Sequence, residues 1–125
     1  MVKEPTILIL ASGEPRRDWT NENPCQMAVV EGKPLILRTL SQLAMWGHDQ
    51  NVFTVTHKEP IKAVVPCFFI PNPRFYWAET VLSTRLLWRN RTIILHGDVI
   101  FSPAVLHAIL SDTAPIAFHL SLIHI

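Results

Sequence analysis

Two short segments place residues suited to phosphate chemistry directly behind apolar, β-branched runs. The first is Leu10-Ala11-Ser12-Gly13-Glu14-Pro15-Arg16-Arg17, which follows Thr6-Ile7-Leu8-Ile9. Small side chains let backbone amides approach an anion closely, and arginine adds a fork of donors for phosphate oxygens. The second is His96-Gly97-Asp98, which follows Thr92-Ile93-Ile94-Leu95. Asp98 is one of four aspartates, with Asp18, Asp49 and Asp112, and the only one directly behind an expected buried strand. A carboxylate so placed can hold Mg²⁺ through one oxygen while phosphates and water complete the octahedron. Taken singly, each segment also reads as a turn, the first solvated with surface arginines, the second with Asp98 bonding its own backbone. Neither G-x-G-x-x-G nor G-x-x-x-x-G-K-[ST] occurs, which excludes those two phosphate loops at motif level.

The elements that must position these residues follow from periodicity. Thr6 to Leu10 is a continuous apolar run, the mark of a strand buried on both faces. Ser12 to Pro24 is polar and rich in turn residues, hence a long loop. Pro34 suits a first helical position, Ile36, Leu40, Leu43 and Ala44 follow at helical spacing, and Gly47 supplies the stop. Val52 to Thr56 and Ala63 to Ile70 read as strands, the latter at an edge because of Pro66, and Asn72-Pro73 as a turn. Ala78 to Trp88 reads as a helix and Thr92 to Leu95 as another buried strand. Ser102-Pro103 opens a helix carrying Val105, Leu106, Ile109 and Leu110, and a last strand is expected after it. Such alternation predicts an α/β fold: a Rossmann-like, mostly parallel sheet with helices on both faces. In folds of this kind ligands bind beyond the carboxyl ends of central strands, where both polar segments lie.

In order and spacing, these residues carry a resemblance. Leu10-Ala11-Ser12-Gly13 with Arg17, then Pro24, then Gly32-Lys33-Pro34-Leu35, a helix, a Val-Thr strand, and Gly97-Asp98-Val99-Ile100 look like the N-terminal half of the nucleotidyltransferase superfamily. That superfamily includes the sugar-phosphate and phosphocholine nucleotidyltransferases, with an approximate pattern L-A-A-G-x-G-x-R, P-K-x-L, G-K-P-L, then G-D before an apolar pair. The resemblance implies that the parent enzyme transfers a nucleoside monophosphate from a nucleoside triphosphate to a sugar or alcohol phosphate, with release of pyrophosphate, and that the present fragment alone is inactive. It implies nucleotide contacts at Leu10, Ala11, Ser12, Gly13 and Arg17, with Arg17 stabilising the triphosphate and Asp98 a Mg²⁺ ligand. Thr80 and Ser83, similar to the small polar residues that open the second family helix, become candidates beside the nucleotide. Lys33 reads as structural, introducing the helix.

Two positions depart from the pattern. Pro15 stands at the second glycine, removing a backbone donor, and Cys25 at the P-K-x-L lysine, removing a cation aimed at a transferring phosphoryl group. Loss of one such electrostatic stabiliser costs on the order of 10²- to 10³-fold in rate. Arg16 is a possible spatial substitute. These departures keep open a non-catalytic nucleotide-binding or regulatory domain of the same fold. A glycosyltransferase ranks lower, since Asp98-Val99-Ile100 lacks the second acid of D-x-D, and coincidental motif matches are the remaining alternative.

Composition bounds the rest. The chain has 125 residues, 11 Lys plus Arg against 10 Asp plus Glu for a net charge of +1, and is 49% hydrophobic and 17% charged. It forms one domain at most, is too apolar for a disordered tail, and lacks the basic footprint of a nucleic-acid binder. Two cysteines, Cys25 and Cys67, form no metal or disulfide pattern, and the N-terminus has no signal-peptide pattern, so the expected compartment is the cytoplasm. No apolar run approaches the ~20 residues of a membrane span. His96 reads as a structural histidine or a phosphate contact, Trp46, Trp77 and Trp88 as packing residues, and Arg85, Arg89 and Arg91 as a solvated basic face. Residues 1–118 are expected to form the nucleotide-binding part of the domain. Residues 119–125 read as a non-native or truncated end, Leu120 to Ile125 resembling translated sequencing-adapter sequence. A mean hydropathy of +0.24 suits a domain that leaves apolar surface to be covered by a missing half. Nucleotide base, acceptor and oligomeric state are left open.

Overall fold

The computed structural model describes residues 4–15, 18–72 and 77–114. Strand β1 (Thr6–Leu10) is buried along its whole length, as a central strand covered on both sides must be. It is followed, after the long loop, by a 3₁₀ turn at Cys25–Met27, strands β2 (Val29–Val30) and β3 (Lys33–Pro34), and helix α1 (Leu35–Met45). Then come β4 (Val52–Val55), the one-turn helix α2 (Glu59–Lys62), β5 (Phe68–Phe69), α3 (Trp77–Ser83), β6 (Thr92–His96) and α4 (Pro103–Ser111). The main sheet has the order β5-β4-β1-β6, and every pair in it is parallel. The fold is therefore α/β with a parallel sheet flanked by helices, as the alternation predicts.

Alternate residues of β1 feed two cores. Ile7 and Ile9 pack with Ile36 and Leu43 of α1 and Leu106 of α4, while Leu8 and Leu10 pack with Val55 and with Val81 of α3. The second face is the thinner one. There Ile94 of β6 is 36% exposed, so β6 alternates between buried Ile93 and Leu95 and exposed Ile94 and His96 rather than being buried on both faces.

Local chemistry accounts for the remaining differences from expectation. Pro34 has extended backbone and pairs with Val29, so α1 begins one residue later, at Leu35. Strands β2 and β3, which no sequence feature announced, form a two-residue hairpin with Glu31 and Gly32 both at positive φ, the geometry such turns demand. Gly47, at φ 84°, ends α1 as expected. The expected strand Ala63 to Ile70 contracts to Phe68–Phe69. Glu59-Pro60 starts a helical turn, Ile61 and Val65 drop into the core one turn apart, and Ala63 and Val65 donate to the carbonyls of Glu59 and Ile61. Helix α3 stops at Ser83 rather than Trp88, because the hydroxyls of Ser83 and Thr84 bond back to the carbonyls of Thr80 and Val81, at 2.7 and 2.6 Å. Ser102 caps α4 through its Oγ, accepting from the Val105 amide at 3.2 Å.

Trp46 stacks on His107 with centroids 4.6 Å apart, joining α1 to α4. Arg91 corrects the solvated-face reading: one of its terminal nitrogens lies 3.2, 2.6 and 2.7 Å from the carbonyl oxygens of Ile109, Leu110 and Asp112, at the C-terminal end of α4. The segment 115–125, with the expected last strand and the end at 119–125, lies outside the described residues. No helix among the described residues is long and apolar enough to cross a membrane.

Candidate functional site

The strand order reverses between β1 and β6: from β1 the chain steps to β4 and β5 on one side, then to β6 on the other. A crevice opens at such a point, outside the carboxyl ends of the two strands. A cleft of about 230 Å³ lies there, with Gly13 and Glu14 from the loop behind β1 and Asp98 from the turn behind β6 among its lining. Pro15, Trp19, Pro24, Cys25, Gln26 and Lys58 complete it.

Hydrogen bonds fix these loop starts. Beyond the β1–β6 ladder, the Gly97 amide donates to the Leu10 carbonyl at 2.8 Å. The backbones are so close that a Cβ on Gly97 would lie 2.9 Å from that oxygen, 3.2 Å from the Ala11 Cβ and 3.3 Å from the Gln26 Cγ. On the other side of β1, Ala11 donates to the Val55 carbonyl at 2.9 Å, and the Thr56 hydroxyl donates to the Ala11 carbonyl at 2.8 Å. Ser12 Oγ and His57 Nδ1 share a 2.6 Å hydrogen bond. The Ser12 side chain is thus spent on the scaffold, and what Ala11 to Gly13 can offer a ligand is backbone.

The same Thr56 hydroxyl accepts from the Lys58 amide at 3.1 Å, and the Lys58 carbonyl accepts from Ile61 and Lys62, fixing the lysine backbone at the start of α2. Its side chain lines the cleft although the residue is only 3% exposed. Burial pushes the Lys58 ammonium below the ordinary lysine value, while Cys25, Glu14 and Asp98 pull the other way. Gln26 is also buried, and its Oε1 has no hydrogen-bond partner among the described residues.

Of the residues singled out by sequence, Gly13 and Asp98 meet at the cleft, and Leu10, Ala11 and Ser12 form the strand end that carries the loop. Thr80 and Ser83 sit on α3 and are not among the lining residues; Ser83 Oγ is engaged with the Thr80 carbonyl. Arg16 and Arg17 lie outside the described residues. His96 is exposed, and Lys33 reaches along α1 to Ser41 Oγ at 3.1 Å. Lys58 and Gln26 were missed. Lys58 had a usable signal, since Thr56-His57-Lys58 follows a strand just as the other two polar segments do.

Chemically, the cleft combines one buried cation, two carboxylates and an unsatisfied amide oxygen. No group of three His, Cys, Asp or Glu able to hold a metal ion occurs among the described residues. Glu14 and Asp98 suit a hard cation that keeps waters and arrives with phosphate ligands, the habit of Mg²⁺. Neither the protein-family models nor the curated proteins contain a match to this chain.

Proposed function

We propose that this chain is the nucleotide-binding part of a nucleotidyltransferase that moves a nucleoside monophosphate from a nucleoside triphosphate onto a sugar or alcohol phosphate. The observation that carries the reading is the meeting of Gly13 and Asp98 in one cleft at the β1/β6 reversal. In the reaction, an oxygen of the acceptor phosphate bonds to the α-phosphorus while the bond from that phosphorus to the bridging oxygen breaks, and pyrophosphate leaves. No covalent enzyme intermediate is required, so positioning and charge neutralisation carry the catalysis. The backbone behind β1 holds the phosphates, and Arg17 adds donors to the triphosphate. Asp98, with Glu14 beside the same cleft, would hold Mg²⁺. When bound, that ion supplies charge neutralisation on the phosphate oxygens. A cytoplasmic location belongs to the same reading.

The second reading, a non-catalytic nucleotide-binding domain, is favoured by one observation: Pro15 and Cys25, the two departures from the family pattern, both line the cleft. Pyrophosphate release, assayed with each of the four nucleoside triphosphates, Mg²⁺ and a panel of phosphorylated acceptors, separates the two. Release that disappears in Asp98→Asn is expected of a chain carrying the whole transferase domain, the present residues alone being inactive. Nucleotide binding without release, in a chain carrying the whole transferase domain, favours the second reading. Neither binding nor release contradicts both.

A further inference from the structure

A buried ammonium on the wall of an open cleft calls for a partner. Lys58 is the one lysine or arginine among the described residues that line the cleft, and among the described residues it has no ion pair within 4 Å; the ion pairs of Arg38 with Glu31 and of Lys62 with Glu59 involve residues outside the lining. The Gln26 Oε1 atom is a second feature: among the described residues it has no hydrogen-bond partner. It belongs to a residue that lines the same cleft, is 6% exposed and has its Cγ beside Gly97, and it requires a donor rather than an anion. A group left unsatisfied in this way at a cleft needs an explanation, and a ligand supplies one.

We propose that Lys58 is the phosphate-binding cation of this cleft, standing in for the lysine that Cys25 replaces, and that Gln26 Oε1 accepts from a hydroxyl or amino group of the same phosphorylated ligand. The inference rests on the nucleotidyltransferase reading and names the residue that meets the phosphoryl oxygens in it. The substitution is spatial. Cys25 and Lys58 are 33 positions apart in sequence, yet both line the cleft together with Asp98. An ammonium here faces phosphate oxygens as a point charge, without the fork geometry of arginine. The Gln26 oxygen then separates a nucleotide or sugar phosphate, which brings hydroxyls, from a bare anion.

The test is titration calorimetry of the full chain with pyrophosphate and with each nucleoside triphosphate plus Mg²⁺. It is run on the wild type, Lys58→Met, Lys58→Arg, Gln26→Leu and the double variant Lys58→Met/Cys25→Lys. Lys58→Met is expected to weaken both ligands by about 10- to 100-fold, as loss of a charged hydrogen bond does. Lys58→Arg is expected to keep most of the affinity, and Cys25→Lys to restore it in the Lys58→Met background. Gln26→Leu is expected to weaken the nucleotide and leave pyrophosphate unchanged. Wild-type binding that survives Lys58→Met within twofold overturns the assignment of Lys58 and leaves the nucleotidyltransferase reading standing. A wild type that binds none of these ligands overturns both. Should Lys58→Met fail to fold, the ¹⁵N resonance of the Lys58 Nζ decides within the wild type: a shift on adding pyrophosphate supports the assignment, and no shift at saturation overturns it.

Discussion

The Gly97 amide donates to the Leu10 carbonyl at 2.8 Å, and this bond closes the end of the β1–β6 pairing directly beneath the cleft. Only a residue without a Cβ allows the approach, since that atom would sit 2.9 Å from the same oxygen. Because the obstructing atom is backbone, it cannot swing aside. Gly97→Ala is expected to destabilise the fold by on the order of 1–3 kcal/mol through overpacking, and to weaken ligand binding as the Asp98 turn moves. Urea unfolding and titration calorimetry check the two effects; a stability unchanged from wild type would contradict the packing argument.

Arg91 closes the C-terminal end of α4 through the carbonyls of Ile109, Leu110 and Asp112. Those oxygens carry the negative end of the helix dipole and would otherwise be satisfied by water or not at all. Arg91→Ala is expected to lower stability by about 1.5–3 kcal/mol, the range for hydrogen bonds to a charged group. Arg85→Ala, which removes a charge from an exposed residue of the same cluster, is expected to change stability by less than about 0.5 kcal/mol. Thermal and urea melts of the two variants compare them directly.

Burial holds the Lys58 ammonium below the ordinary lysine value, outweighing the pull of Cys25, Glu14 and Asp98. The folded chain therefore releases this proton at lower pH than the unfolded chain does. Between the two values the unfolded state carries more protons, so this residue's contribution to stability rises with pH across that alkaline window. Below the lowered value the burial penalty is present in full. Lys58→Met is expected to be more stable than wild type at neutral pH and to lose the alkaline rise that this residue contributes. Urea melts of both proteins at stepped pH from neutral upward give the difference, and a gap that widens through the window would contradict the assignment.

How much was legible in sequence depended on what holds each residue. Strand β1 could be read because all five of its residues are buried, and α4 because Ser102-Pro103 carries its own start signal. Asp98 and Gly13 could be read because polar residues directly behind apolar runs fall at strand ends. The segment Ala63 to Ile70 could not, since its apolar residues serve a helical turn and a two-residue strand in succession, and composition alone does not separate those periods. Arg91 reads as surface charge until the end of α4, some 20 positions away, is known to lie against it. Lys58 shares that reason in part: its place directly behind a strand is readable, but lysine is ordinarily a solvated residue, and only the tertiary fold shows that this one is buried against the cleft.

The central claim is that the cleft at the β1/β6 reversal binds a nucleoside triphosphate. The most direct measurement is an amide-resolved NMR titration of the ¹⁵N-labelled chain with each nucleoside triphosphate and Mg²⁺. The account predicts saturable shifts for at least one nucleotide, concentrated at Ala11 to Gly13, Gln26, Lys58 and Gly97 to Asp98, and reduced in Asp98→Asn. Shifts confined to other surfaces, or none at millimolar nucleotide, would contradict it.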